Sequence, residues 1–276
     1  MPRRPTVAGT IHTLSTLLRT DWFESRLPDI EGMYYGPRNR PGIAPRCDLW
    51  RGSNTSGASV LLVHGGGFVL GHKRMKAMRL LAAHFVGHGA HVCSVDYRML
   101  FQGGDLEAAV DDVAAALSWW ADDPMDWGIR ADSIAVVAIS AGGALALIAT
   151  GQSPVPVSHV VSIFGIYDFR ALRGKVAGWL AQKLVGSRDA EALGKASPLT
   201  RAQASAPLLL IHGSEDQIVP VDQAVALHAS RQQAGLPTHL SIYEGEPHAF
   251  LNFDGVGATR ALIELDEFLA PLLQCS

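Results

Sequence analysis

Six short apolar runs, each of strand length, limit what this chain can fold into: Ser59 to Val63, His91 to Val95, Ile134 to Ile139, His159 to Phe164, Leu208 to Ile211 and His239 to Tyr243. A strand with one wet face alternates apolar and polar residues, whereas one buried on both faces does not, and these runs lack the alternation. Between them the period changes. Leu106, Ala109, Val110, Val113, Leu117 and Trp120 recur every three or four positions, with Glu107, Asp111 and Asp112 falling between them, as on an amphipathic helix. Further helical stretches run from Asp222 to Gln233 and from Ala258 to Leu272. Strands alternating with helices predict an α/β class fold: a doubly wound, mostly parallel sheet whose working residues sit on loops at the C-terminal ends of the strands.

Two stretches break the alternation. Residues 1–45 carry a short amphipathic pattern, Ile11 to Leu18, followed by a Gly/Pro-rich segment through Gly36, Pro37, Pro41 and Gly42. Residues 169–200 form an insertion with a helix-like core from Val176 to Leu184. Both are candidate cap segments over a site, within a single domain spanning residues 1–276. A chain of 276 residues that is 48% hydrophobic has enough apolar material for one large core. Its net charge of −3, with the basic residues scattered, offers no footprint for nucleic acid. No stretch approaches the ~20 apolar residues of a membrane span, so no stable membrane anchor is expected. Cys47, Cys93 and Cys275 are far apart, odd in number and without metal-ligand spacing, which fits reduced thiols and a cytoplasmic setting.

Chemistry concentrates in the loops after the apolar runs. Ser140 stands where the run Ile134 to Ile139 meets the small-residue helical stretch Gly142 to Ala149, the context of a nucleophilic serine on a sharp strand-to-helix turn. Taken alone, small residues around a serine also suit a helix packed closely on a sheet. A serine hydroxyl needs a base, a carboxylate to orient that base, and donors for the oxyanion. His64-Gly65-Gly66-Gly67-Phe68 follows the run ending at Val63, so its unobstructed amides make Gly66 and Gly67, with Ala141, candidate oxyanion donors. Neither spacing of a nucleotide-binding glycine loop is present. Asp216 follows the run ending at Ile211 and His248 follows the run ending at Tyr243, giving the chain order Ser, Asp, His. Glu215 and Asp168 are rival acids, and Asp216 is preferred.

The His-Gly-Gly-Gly-Phe and Ser-Ala-Gly-Gly segments resemble those of hormone-sensitive-lipase-type carboxylesterases in the α/β-hydrolase superfamily. From Ile211 to Phe250 the chain is also similar to the catalytic domain of prolyl-oligopeptidase-type serine peptidases. The likeness covers about Ser59 to Leu272. It implies an α/β-hydrolase fold, a Ser140, Asp216, His248 triad, an oxyanion hole at Gly66, Gly67 and Ala141, and no cofactor. Ala138 stands where the serine motif has its first glycine, Ile139 replaces an acidic residue common in this group, and Met99 to Asp105 departs from the continuation usual after Asp96-Tyr97-Arg98.

These features predict a serine hydrolase cleaving small apolar carboxylic esters through an acyl-enzyme. Amide cleavage by a peptidase or formamidase with the same triad is the alternative, and a non-catalytic binding protein the third reading. Phe68, Phe101, Tyr167, Trp179 and Phe250 lie near the site loops or the insertion and are candidate walls of a substrate pocket, although core packing suits each equally. His212 is expected to support its loop. His84 and His88 share a helical face, a spacing that suits zinc, but with Gly87 and Gly89 closing the helix and no carboxylate or cysteine completing the set, no metal is expected.

Overall fold

A computed structural model of the protein describes residues 23–36, 45–172 and 174–273. Among the described residues eight strands form one sheet: β1 (Ile30–Tyr34), β2 (Arg46–Trp50), β3 (Ser59–Val63), β4 (His91–Val95), β5 (Ile134–Ile139), β6 (His159–Ile163), β7 (Leu208–Gly213) and β8 (Thr238–Tyr243). Their spatial order is β1-β2-β4-β3-β5-β6-β7-β8. From β4 onward the pairings are parallel, while β1 and β2 add to the edge in antiparallel fashion.

The helices are α1 (Lys76–Gly87), α2 (Leu106–Ala121), α3 (Ala141–Gln152), α4 (Lys175–Val185), α5 (Ala190–Ala196), α6 (Asp222–Gln233) and α7 (Val256–Leu273). Alternate residues of β3 feed opposite cores, because successive side chains of a strand point to opposite faces. Leu61 and Val63 join Val110, Val113, Leu117 and Leu145 on the α2 and α3 face. Val60 and Leu62 join Leu81 and Phe85 of α1 and Leu265 and Leu269 of α7 on the other. This is why the central runs carry no polar alternation: β3, β4 and β5 are buried at every position. The start of α2 is fixed by Asp105, whose side chain accepts a hydrogen bond from the Ala108 amide at 2.8 Å.

Three expectations are corrected at the edges. Residues 30–34, assigned to a cap, are an edge strand, and the sequence pattern missed both β1 and β2. A fully buried Asp48 interrupts the apolar character of β2; it accepts from the Gly32 amide at 2.7 Å and pairs with Arg74, which ties the edge together. The pattern Ile11 to Leu18 lies outside the described residues. At the far edge β8 is half exposed rather than buried on both faces, with Ile242 reaching solvent.

The insertion holds α4 and α5, and its Ala181, Leu184, Leu193 and Ala196 pack into the same cluster as Phe68, Phe169 and Val219. Cys47 and Cys93 are buried free thiols, while Cys275 lies outside the described residues. Among the described residues no helix is long and apolar enough to cross a membrane.

Candidate active site

The strand order reverses at β3: the chain leaves it for β4 on one side and later returns to β5 on the other. Open α/β sheets offer a crevice beyond the strand ends at such a point. Val63 pairs with Ala138, so the loops after β3 and β5 begin side by side. At Gly65 an added Cβ would stand 2.9 Å from the Cβ of Ser140. The glycine loop and the serine turn are therefore in contact, and a side chain at Gly65 would separate them.

Ser140 itself has φ 51° and ψ −122°, a conformation that L-residues rarely adopt. The turn is held by the Ser140 amide donating to Ile163 O at 3.0 Å and the Gly143 amide donating to Ser140 O at 2.9 Å. Gly142 is obligatory, since a Cβ there would meet His64 O at 2.4 Å and Val63 O at 2.5 Å. Ala138, by contrast, is accommodated within β5, which explains how the turn forms without the first glycine of its motif.

Ser140 Oγ lies 3.0 Å from His248 Nε2, and His248 Nδ1 lies 2.6 Å from Asp216 Oδ2. The carboxylate only accepts, so Nδ1 carries the imidazole proton and Nε2 presents its lone pair to the serine hydroxyl. The edge of His248 packs against Phe164, with ring centroids 5.0 Å apart. Asp216 Oδ1 accepts from the amides of Ile218 and Val219 at 2.9 and 2.8 Å. Burial by itself would raise the Asp216 carboxyl, but the charge of His248 and hydrogen bonds from His212 and His248 prevail and hold it well below the usual carboxylate range. Of the rival acids, Glu215 is exposed, and Asp168 is engaged by Arg170 at 2.8 Å.

In the glycine loop Gly66 has φ 115° and Gly67 has φ 63°. Its turn is closed by the amides of Val69 and Leu70 donating to Gly66 O at 3.2 and 3.0 Å. Among the described residues no backbone carbonyl accepts from the amides of Gly66, Gly67 or Ala141. His64 is fully buried beneath the loop, where burial lowers its pKa to about 4. Its Nδ1 donates to Gly65 O at 2.6 Å, and its ring stacks on Tyr97, whose hydroxyl donates to His64 O at 3.0 Å.

The proposed pocket residues divide. Tyr167 is fully buried and donates to Ser162 Oγ at 2.9 Å, and Phe250 packs between Phe164 and Tyr243; both are core residues, not pocket walls. Phe68 is buried against Phe169 in the cluster shared with the insertion. Phe101 and Trp179 are exposed and face one another at 6.3 Å between ring centroids. Trp179 also borders a surface cavity of about 330 Å³ with Gln182, Lys183 and Arg188, to which Ser140, Asp216 and His248 contribute nothing.

Two side chains were not legible in these roles. His212 is more than a loop support, because its Nε2 lies 3.1 Å from Asp216 Oδ2 as well as 3.0 Å from Val219 O. Its spacing four residues before Asp216 was the available signal. The second is Asp266 on α7, which places Oδ1 2.8 Å from His84 Nε2 and supplies the carboxylate that the sequence reading did not find.

The BD-FAE family model matches residues 48–230, well over half of the chain. "Probable carboxylic ester hydrolase LipM" of Mycobacterium tuberculosis is 28% identical over 296 residues, covering 97% of this chain and 67% of that protein. Esterase LipC of the same organism is 30% identical over 249 residues, covering 79% and 60% respectively. The chain thus spans three fifths to two thirds of the length of these curated relatives. Among solved structures, esterase 2 of Thermogutta terrifontis superposes with a TM-score of 0.76 at 19% identity, over 90% of this chain and 96% of that one. The shared architecture is the α/β-hydrolase fold.

Proposed function

The chain belongs to the BD-FAE family, and from that premise we propose that it is a serine carboxylesterase that cleaves small apolar esters through an acyl-enzyme. The observation that carries this reading is the unbroken relay from Ser140 Oγ to His248 Nε2 at 3.0 Å and from His248 Nδ1 to Asp216 Oδ2 at 2.6 Å. The similarity to curated ester hydrolases selects esters over amides.

In this mechanism Ser140 Oγ attacks the carbonyl carbon while its proton passes to His248 Nε2. The amides of Gly66, Gly67 and Ala141 supply hydrogen bonds to the oxygen that becomes negative. The bond to the alkoxy group then breaks, and His248 returns the proton to the departing alcohol. Water repeats the attack on the acyl-serine with the same base, releasing the acid and restoring the Ser140 hydroxyl. Asp216 stays ionised throughout, fixing the tautomer of His248 and stabilising its charged form.

The same proposal treats the described residues as one hydrolase domain, with α4 and α5 as its cap. A cytoplasmic setting fits the buried free thiols of Cys47 and Cys93. A panel of p-nitrophenyl esters from acetate to decanoate tests the activity. Hydrolysis by the wild type, lost with Ser140→Ala and accompanied by fluorophosphonate labelling at Ser140, is the expected outcome. Turnover equal in the two proteins would refute it.

A further inference from the structure

Away from the serine, α1 and α7 bring three metal-binding side chains together. His84 and His88 stand one turn apart at the end of α1, and Asp266 faces them from α7. His84 Nε2 lies 2.8 Å from Asp266 Oδ1, and His88 Nε2 lies 3.6 Å from the same oxygen. One donor atom from each residue lies within 4.8 Å of the others. A tetrahedral zinc ion with bonds near 2 Å holds its ligands about 3.3 Å apart, so shifts of roughly 1 Å would bring all three onto one ion.

A bare ion pair between the helices would need only His84 and Asp266. The third residue is what distinguishes this cluster. His88 Nδ1 donates to His84 O at 2.9 Å, which fixes the tautomer and leaves Nε2 as its available lone pair, on the atom nearest the carboxylate. Metal-ligating histidines are oriented in this way, by a carbonyl or carboxylate on the ring nitrogen that does not bind. The two imidazole centroids are 4.6 Å apart. His88 is 45% exposed and Asp266 35%, so the site opens to solvent and leaves room for water as a fourth ligand.

We propose that His84, His88 and Asp266 form a binding site for a divalent transition-metal ion, zinc foremost, that clips α7 to α1. On binding, the ion takes the place of the hydrogen on His84 Nε2 and the ring carries its proton on Nδ1 instead, so His84 ligates as a neutral imidazole with no net proton lost. Neither helix contributes Ser140, Asp216 or His248, so the ion's role is structural.

Untagged full-length protein, stripped with EDTA and titrated calorimetrically with zinc chloride, tests the site. The wild type is expected to bind one ion per chain and to unfold at a higher temperature with zinc than without. His88→Ala, at an exposed position, and Asp266→Asn should each weaken binding by about tenfold or more and remove the thermal shift. Cobalt should give tetrahedral visible bands in the wild type alone. No binding, or equal binding by His88→Ala, overturns the proposal.

Discussion

His212 Nε2 lies 3.1 Å from Asp216 Oδ2, the oxygen that His248 Nδ1 approaches at 2.6 Å, so two imidazoles converge on one carboxylate oxygen. Both neighbours of His212 Nε2, Asp216 Oδ2 and Val219 O, are acceptors, so that nitrogen carries the proton. His212 is thus a positioning residue for Asp216. A hydrogen bond to a charged group contributes about 1.5–3 kcal/mol, which as a rate effect is roughly tenfold to a hundredfold. His212→Phe is expected to lower kcat by about that factor with KM unmoved, and His212→Gln, which restores an N–H, should recover part of the loss. A fall in thermal stability with kcat intact would show that His212 merely packs the loop.

The glycines of the loop after β3, the proposed oxyanion donors, separate into two kinds. At Gly66 an added Cβ would stand 1.9 Å from Leu70 O, whereas at Gly67 it would meet nothing within 4 Å. Gly66→Ala must move the turn that its own carbonyl closes, and is expected to lower kcat by roughly 10²- to 10³-fold, the effect of losing an oxyanion donor. Gly67→Ala costs only the left-handed backbone, about 1 kcal/mol of stability, and should keep kcat within about tenfold. Steady-state kinetics and thermal melts of the two variants decide between them, and equal losses of kcat would contradict this division of the loop.

Acid should destabilise the fold in a window set by buried histidines. His64 falls from an ordinary value of 6.5 to about 4, chiefly through burial, and His91 and His159 are lowered for the same reason. A group whose folded pKa lies below its unfolded pKa contributes stability that is complete above the unfolded value and lost as pH falls toward the folded one. Urea midpoints are therefore expected to drop between pH 6.5 and 4, with His64 accounting for at most about 3 kcal/mol. His64→Gln should flatten that slope. Asp216, held low by the two histidines, adds its own loss only further down, as pH falls below the ordinary carboxylate range.

The central sheet was readable because burial on both faces leaves a local mark: β3, β4 and β5 are mostly apolar runs without polar alternation, whose ends place the loops. The edge strands were harder, because β1 has a mixed pattern and β2 contains Asp48, whose burial depends on Arg74 and on the Gly32 amide far along the chain. Ser140 and Asp216 were nameable because each follows a buried run, and His248 because it follows β8, which ends clearly at Tyr243 although it is half exposed. What could not be read was direction. Tyr167 and Phe250 sit in loops beside the site yet turn into the core, and Phe101 and Trp179 turn outward. Asp266 is 182 residues from His84, and only the packing of α7 on α1 brings them together.

Those outward aromatics give the last prediction. Phe68, next to the glycine loop after β3, packs on Phe169, and its carbonyl accepts from the Leu100 amide at 2.8 Å, which ties the loop carrying Phe101 to that loop. Phe101 in turn faces Trp179 of α4, so under the proposed ester hydrolysis these two exposed rings are the expected contacts of an acyl chain long enough to leave the crevice. Each methylene buried contributes about 0.8 kcal/mol, so the benefit of the wall grows with chain length. Trp179→Ala is expected to raise KM for p-nitrophenyl octanoate and decanoate by roughly five- to twentyfold while leaving acetate within twofold, because a two-carbon acyl group never reaches the ring. Double substitution with Phe101→Ala should add less than the sum of the single effects, since the rings share one contact. An increase in KM of the same size for acetate and decanoate would show that Trp179 shapes the cap rather than the acyl path.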